Sequence, residues 1–243
     1  MRTALITGGS GGIGKACGRK LAELGYDVVL TARHEKPLRA AADEMGARYV
    51  VADAAAPEAF EPVARALENI DLVVHAAGVL GGTYARKQTF EQWRTTMSAN
   101  LDSCFVVTSA VLPKMVAGSR FVFISSSAAH EPMRARTAYS ASKAGMNAFA
   151  GALALEVDRD GIAVHLVTPG PVETDMLQDV PFEMYAIQTA DVANAVAWLD
   201  TVDPSVELPE IRLNAVTRGP WAREPMVPIE VERRAAAAKA ASP

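Results

Sequence analysis

The chain has 243 residues, half of them hydrophobic, and its 24 basic and 28 acidic side chains leave a net charge of −4. That length buries a core without staples, the two cysteines Cys17 and Cys104 show no paired spacing, and a secreted disulfide scaffold is excluded. With no basic block, neither nucleic acid nor an anionic membrane is the expected partner; a small molecule is.

Apolar runs rich in β-branched residues alternate with segments of helical period, the pattern of repeated βα units. Seven strands are predicted in chain order: Thr3 to Thr7, Asp27 to Ala32, Tyr49 to Ala52, Leu72 to His75, Arg120 to Ser125, Ala163 to Thr168 and Glu210 to Leu213. Most are continuous apolar runs, as burial on both faces requires. Helical segments are predicted over Ile13 to Leu24, Pro37 to Met45, Pro57 to Glu68, Thr89 to Met115, Ala138 to Asp158 and Ala190 to Asp200. Right-handed crossovers then give an α/β fold, a Rossmann-type doubly wound parallel seven-stranded sheet with helices on both faces. Residues 1–216 read as one domain. From Thr217 the chain turns proline-rich and ends in Arg233-Arg234-Ala235-Ala236-Ala237-Ala238-Lys239, a tail read as loosely ordered or a short helix, either disordered or used in subunit contact. No uncharged run approaches the ~18 residues of a membrane span. Met1 to Thr7 runs straight into glycines instead of a long apolar stretch, which points to a cytoplasmic chain.

The first strand ends in Thr7-Gly8-Gly9-Ser10-Gly11-Gly12-Ile13-Gly14. Glycines there allow a tight turn and a close backbone approach to a pyrophosphate, which the following helix N-terminus also favours. After the second strand, Thr31-Ala32-Arg33-His34 lacks the carboxylate that would hold a ribose 2′-hydroxyl. Arg33 is either a bidentate partner for a 2′-phosphate, favouring NADP over NAD, or a solvated arginine.

Tyr139-Ser140-Ala141-Ser142-Lys143 places a phenol and an ammonium four residues apart, on one helix face. A nearby positive charge is expected to lower the phenol pKa for acid–base work on a carbonyl. Ser126, thirteen residues upstream, offers a hydroxyl to a substrate oxygen. Of the five tyrosines only Tyr139 has such a lysine, and this serine–tyrosine–lysine spacing arises by chance with a probability under about one per cent. No metal-ligand spacing is present.

Together with the glycine loop, these residues resemble the short-chain dehydrogenase/reductase family, over about residues 3 to 215. The resemblance implies hydride transfer between a nicotinamide and a carbonyl or secondary alcohol, with Tyr139 as proton donor and Ser126 orienting the oxygen. It further implies that Lys143 tunes the phenol and holds ribose, and that Asn100 supports a proton relay through water. Gly8, Ser10, Gly12, Ile13 and Gly14 correspond to the cofactor loop, and Asp53 looks like the acid that bonds the adenine amino group. Ala77 and Gly78 follow the fourth strand, and Pro169, Val172 and Thr174 resemble the segment that wraps the nicotinamide and opens a substrate flap. Where the family usually has Asn-Asn-Ala-Gly, this chain has His75-Ala76-Ala77-Gly78, which removes amides near the sheet centre. Val206 to Leu213 resembles the branch acting on 3-hydroxy acids and similar small alcohols. The alternatives are a 3-oxoacyl-thioester reductase and a non-catalytic dinucleotide-binding regulator. His130 and Arg134 are either contacts for an acidic substrate group or solvated loop residues, and Met133, Met176, Leu177, Phe182 and Met184 either line an apolar flap or cover the core. Apolar excess on the segments Thr89 to Met115 and Ala138 to Asp158, notably Ala144, Ala148, Phe149, Ala152 and Leu153, suggests a homotetramer, with a homodimer second.

Overall fold

The structure, a computed structural model, describes residues 1–203 and 205–240. Seven strands form one parallel sheet: β1 (Thr3–Thr7), β2 (Asp27–Ala32), β3 (Arg48–Val51), β4 (Leu72–His75), β5 (Arg120–Ile124), β6 (Ala163–Pro169) and β7 (Glu210–Leu213). Their order is β3-β2-β1-β4-β5-β6-β7, all pairs parallel. The order reverses between β1 and β4, and it is at such a switch point, beyond the carboxyl ends of the strands, that a crevice opens.

Alternation along the strands builds a core on each face. Leu5, Val29, Val73, Phe121 and Phe123 pack against α3 (Pro57–Arg65), α5 (Ser103–Val111) and α6 (Thr137–Val157). Ile6, Val28, Leu30, Val74 and Val122 pack against α1 (Gly12–Glu23), α2 (Glu35–Met45) and α7 (Thr189–Leu199). This is the three-layer doubly wound sandwich expected from the sequence.

The long segment Thr89 to Met115 is not one helix. It divides into α4 (Phe90–Met97), a π-helical turn over Ser98–Asp102, α5, and a 3₁₀ turn over Leu112–Lys114. Thr89 opens it with a reciprocal capping box to Gln92. Pro113 stands in the final 3₁₀ turn, where a missing N–H and a restricted preceding residue stop the α-helix. Pro37 lies inside the first turn of α2 instead of opening it, a place where its lost N–H costs nothing. Past Thr217 the chain runs back over the fold and ends in α8 (Ile229–Ala240). No described helix is long and apolar enough to cross a membrane.

His75 is buried at the end of β4, stacked on Phe123 with ring centroids 4.2 Å apart and planes 2° apart. Burial pushes its imidazole down to about 3 from an ordinary 6.5, so it is neutral in the folded chain. The unfolded chain binds a proton there that the folded chain refuses. Stability from this site is therefore full above pH ~6.5 and declines as pH falls toward the folded value, by about 1.4 kcal/mol per unit. Urea unfolding between pH 6 and 4 should show wild type losing stability more steeply than His75→Asn by about that increment; parallel curves would refute the assignment.

Candidate active site

The turn after β1 is shaped by how closely it meets the turn after β4. Gly8 has φ +67°, and a Cβ there would stand 2.7 Å from the Ala76 carbonyl oxygen. A Cβ on Gly14 would stand 2.3 Å from the Gly8 carbonyl oxygen. Only glycine permits either approach. Thr7 ties the two turns together, its hydroxyl accepting from the Ala76 and Ala77 backbone N–H groups at 3.2 and 3.1 Å. Those bonds anchor the segment that lacks the family's amides.

Above this junction lies a cavity of about 660 Å³, whose lining includes Gly8, Ser10, Gly12, Ile13, Gly14, Arg33, Asp53, Ala77, Gly78 and Thr174. Ten of the residues expected to hold cofactor are thus brought together around one space. Pro169 and Val172 are not part of that lining. Pro169 ends β6, and buried Val172 forms a bridge with Ile187 that closes the base of the flap. Thr174 packs its methyl group over Gly12, so the flap starts directly on the glycine turn. Thr31, also lining the cavity, has a buried hydroxyl with no hydrogen-bond partner among the described residues. An unsatisfied hydroxyl, a cradle too tight for any Cβ and the Asp53 carboxylate as an acceptor in the same lining fit a dinucleotide.

Asn100, Ser126, Tyr139 and Lys143, the residues expected to be catalytic, are not in that lining; Asn100 and Lys143 approach it at Gly78. Asn100 sits fully buried in the π-helical turn, an extra-residue distortion that recurs at functional sites. Its side-chain oxygen accepts from the Val79 N–H at 2.7 Å, and its amide nitrogen donates to the Val79 carbonyl at 3.0 Å and to Ser142 Oγ at 2.9 Å. Ser142 in turn donates to the Tyr139 carbonyl at 2.8 Å. One side chain therefore fixes the turn after β4 against the catalytic helix α6. Gly78 leaves room between Asn100 and Lys143: a Cβ there would be 2.9 Å from Asn100 Oδ1 and 4.0 Å from Lys143 Nζ.

Lys143 is 6% exposed and its ammonium donates to the Ile124 carbonyl at 2.7 Å, at the end of β5. Burial lowers its pKa to about 8. Tyr139, 8% exposed, departs from the expectation drawn from spacing. Burial raises the phenol above its ordinary 10, and the groups pulling it back are Ser126 and Arg136, with Lys143 not among them. On the shared helix face the Lys143 ammonium points to the Ile124 carbonyl, and the phenol's shift is set by its burial. Tyr139 accordingly stands protonated at neutral pH. Ser126 accepts from the Ala128 N–H at 3.2 Å, which fixes its rotamer at the mouth of β5.

Of the two loop candidates for an acidic substrate group, His130 is already engaged: its Nε2 meets Glu210 at 2.7 Å and Arg212 at 3.2 Å. Arg134 is exposed. Arg136, which the sequence reading passed over, is the arginine whose charge reaches the phenol. Exposed Met176 and Phe182 give the flap an apolar surface, and Met176 lines the cavity. The flap is also strapped from outside. Met184 and Met226 exchange backbone hydrogen bonds of 3.2 and 2.7 Å, and the Gln178 carbonyl and side-chain oxygens accept from the N–H groups of Glu230 and Ile229 at 3.1 and 3.2 Å. Cys104, buried in α5, has its thiol pushed up to about 12, which leaves it inert as a nucleophile.

Comparison with known proteins agrees with this geometry. A family model described as short chain dehydrogenase matches residues 2–184. A 3-oxoacyl-[acyl-carrier-protein] reductase of Rickettsia typhi is 31% identical over 214 residues, covering 82% of this chain and 88% of that protein. An acetoacetyl-CoA reductase of Cupriavidus necator is 31% identical over 223 residues, covering 82% and 91%. Among solved structures, a short chain dehydrogenase from Burkholderia cenocepacia in complex with NADP superposes with a TM-score of 0.79 at 27% identity, covering 88% of this chain and 96% of that one. A glycine turn sealed against the fourth strand, a buried asparagine in a π-helical turn and a tyrosine and lysine on one helix are thus found where relatives of known kind share the whole domain, and the chain belongs to the short-chain dehydrogenase family of oxidoreductases acting on CH–OH and C=O groups.

Proposed function

We propose that the chain is an NADP(H)-dependent reductase of small or medium carbonyl compounds, in which Tyr139 supplies the proton. The observation that carries the reading is the placement of buried Tyr139 and Lys143 on one helix, tied through Ser142 and Asn100 to the turn that borders the glycine-lined cavity. The nicotinamide of a cofactor whose pyrophosphate lies at the glycine turn would supply the hydride. Ser126 orients the carbonyl oxygen and stabilises the charge that develops on it, while Asn100 and Ser142 hold α6 in register with the turn after β4. Lys143, positively charged below its lowered pKa, keeps a cation beside Gly78, where the proton given up by Tyr139 is replaced through water. Gly8, Ser10, Gly12, Ile13 and Gly14 bind the pyrophosphate, Asp53 the adenine, and Ala77, Gly78, Tyr139, Lys143, Pro169, Val172 and Thr174 the nicotinamide end. A second reading, reduction of 3-oxoacyl thioesters, is supported by the named activities of the two relatives. Oxidation of NADPH against ketones, 3-oxo acids and 3-oxoacyl thioesters separates the two. With whichever substrate turns over, Tyr139→Phe should lower kcat by roughly 10²–10⁴-fold while cofactor binding is retained through the glycine turn; near-normal kcat would remove Tyr139 from the mechanism.

NADP preference rests on Arg33, which lines the cavity at the end of β2 and makes no ion pair among the described residues. NADP-bound relatives of the same fold support it. A charge-assisted pair to a 2′-phosphate is worth about 1.5–3 kcal/mol, so Arg33→Glu should weaken NADPH binding by roughly 10–150-fold and spare NADH. Equal effects on both cofactors, read by fluorescence titration, would sink the preference.

The assembly we propose is a homotetramer, with a homodimer second. Leu153 and Phe149, counted as surplus from the sequence, serve the chain's own core. The apolar groups left outside are Phe105 on α5 and Leu155 on α6, 61% and 84% exposed, and such surface seeks a partner. Light scattering should give a mass of four chains, or two; a monomer would refute this.

A further inference from the structure

Arg136 stands at the entrance to the catalytic helix, three residues before Tyr139, and its side chain is partly buried. Taking a guanidinium out of water is costly unless it is paired. Yet among the described residues Arg136 makes no ion pair, and its one side-chain hydrogen bond is a long donation to the Gly82 carbonyl at 3.3 Å. With five N–H donors in a planar fork, most of its capacity is unspent.

The backbone on both sides is arranged to bring it there. Ala135 has φ +60°, the one non-glycine residue in the left-handed region among the described residues, a conformation that side chains other than glycine rarely adopt. This turn sends Arg136 toward the loop after β4. There Gly82 makes the space: a Cβ on it would stand 2.7 Å from Arg136 Nη1 and 2.5 Å from the Ala135 carbonyl oxygen. Thr137 fastens the same junction by donating to Gln88 Oε1 at 2.8 Å. Gly82 and Gln88 line a second cavity of about 420 Å³, which shares Val79 and Thr95 with the large one. Glu91, the only carboxylate in the lining of that second cavity, makes no ion pair with Arg136. The charge of Arg136 is felt at the Tyr139 phenol. An unpaired cation is thus held by a left-handed turn and a missing side chain, three residues before Tyr139 and beside Gly82, which lines the second cavity.

We infer that Arg136 is the anion-recognition residue of the substrate site, and that the carbonyl substrates of this chain carry a carboxylate or similar oxyanion that the guanidinium clamps as the carbonyl meets Tyr139. This rests on the reductase reading above and narrows its substrate class. His130, committed to Glu210, and solvent-exposed Arg134 leave the role to Arg136.

The test uses paired probes that differ only in charge: 2-, 3- and 4-oxo carboxylates and their methyl esters, each with NADPH. For at least one spacing, wild type should favour the acid over its ester by tenfold or more in kcat/KM. Arg136→Gln should erase that ratio mainly through a rise in KM for the acid, and Arg136→Lys should restore part of it. Ester preference in wild type, or the same acid-to-ester ratio in wild type and Arg136→Gln, overturns the proposal. A purely supporting role for the phenol would lower kcat for acid and ester alike, and that outcome also overturns it. A separate arm does not need turnover: calorimetric titration of the protein–NADP⁺ complex with the matching hydroxy acids. Binding to wild type that Arg136→Gln loses at least tenfold upholds the anion site even if no carbonyl compound is reduced, in which case it is the reductase reading that fails. If neither turnover nor Arg136-dependent binding is seen, the anion site is refuted.

Discussion

Two backbone turns packed too closely for any side chain are the constraint on which this site depends. The turn after β1 and the segment after β4 meet at Gly8 and Ala76, at a separation that only a missing Cβ allows, and the Thr7 hydroxyl accepts from the Ala76 and Ala77 N–H groups beside that contact. An unpaired buried N–H costs about as much as a lost hydrogen bond, so the contact is held from both sides. Once it forms, the crevice at the β1/β4 switch has a floor of main-chain donors, and the flap can begin on Gly12 through Thr174. The same contact leads the chain through Gly78 toward Asn100, which places the catalytic helix relative to the cofactor floor.

From that floor the catalytic electrostatics follow by burial more than by pairing. Lys143 and Tyr139 are on one helix face, but desolvation moves their pKa values in opposite directions, lysine down and phenol up. Each shift favours the neutral form, as low dielectric requires. Two groups that stand half a unit apart in water are thereby separated, with the buried lysine the more readily deprotonated of the two. Asn100 is held away from proton exchange by its three hydrogen bonds to Val79 and Ser142; its contribution is to keep the geometry of the relay.

Much of this was legible in the sequence because it is local. Strands buried on both faces announce themselves as apolar runs, and β1, β2, β4 and β7 fall on the predicted residues. Glycine spacing and the tyrosine–lysine step are local too. What could not be read is set by partners far away in the chain. The π-helical turn at Asn100 has no compositional mark, so α4 and α5 merged into one predicted helix. His130 looks free until Glu210, 80 residues on, is folded against it. The direction of the Tyr139 shift depends on how deeply α6 is buried and on where the Lys143 proton points, to the carbonyl of Ile124. The pairing of Met226 with Met184 joins the tail to the flap across more than forty residues, and the prolines of the tail signalled only that it would not continue the sheet. Nothing in the local sequence sets Arg136 apart from Arg134; its approach to Gly82 is made by the left-handed turn at Ala135.

The charge balance also looks different once the fold is known. A net charge of −4 would repel a polyanionic dinucleotide if it were spread evenly. Instead Arg33 and Arg94 line the large cavity together with Asp53 and Asp175, and Lys143 is buried beside Gly78. Other acidic residues are paired away from it: Asp200 on Arg2 and Tyr26, Glu44 on Lys15 and Arg19, Glu210 on His130 and Arg212. Pairing the carboxylates with cations away from the cleft removes their field from it, while low-dielectric walls concentrate the field of the cations that remain. The sign that a ligand meets at each part of the cleft is therefore decided by which charges the fold has left there without partners.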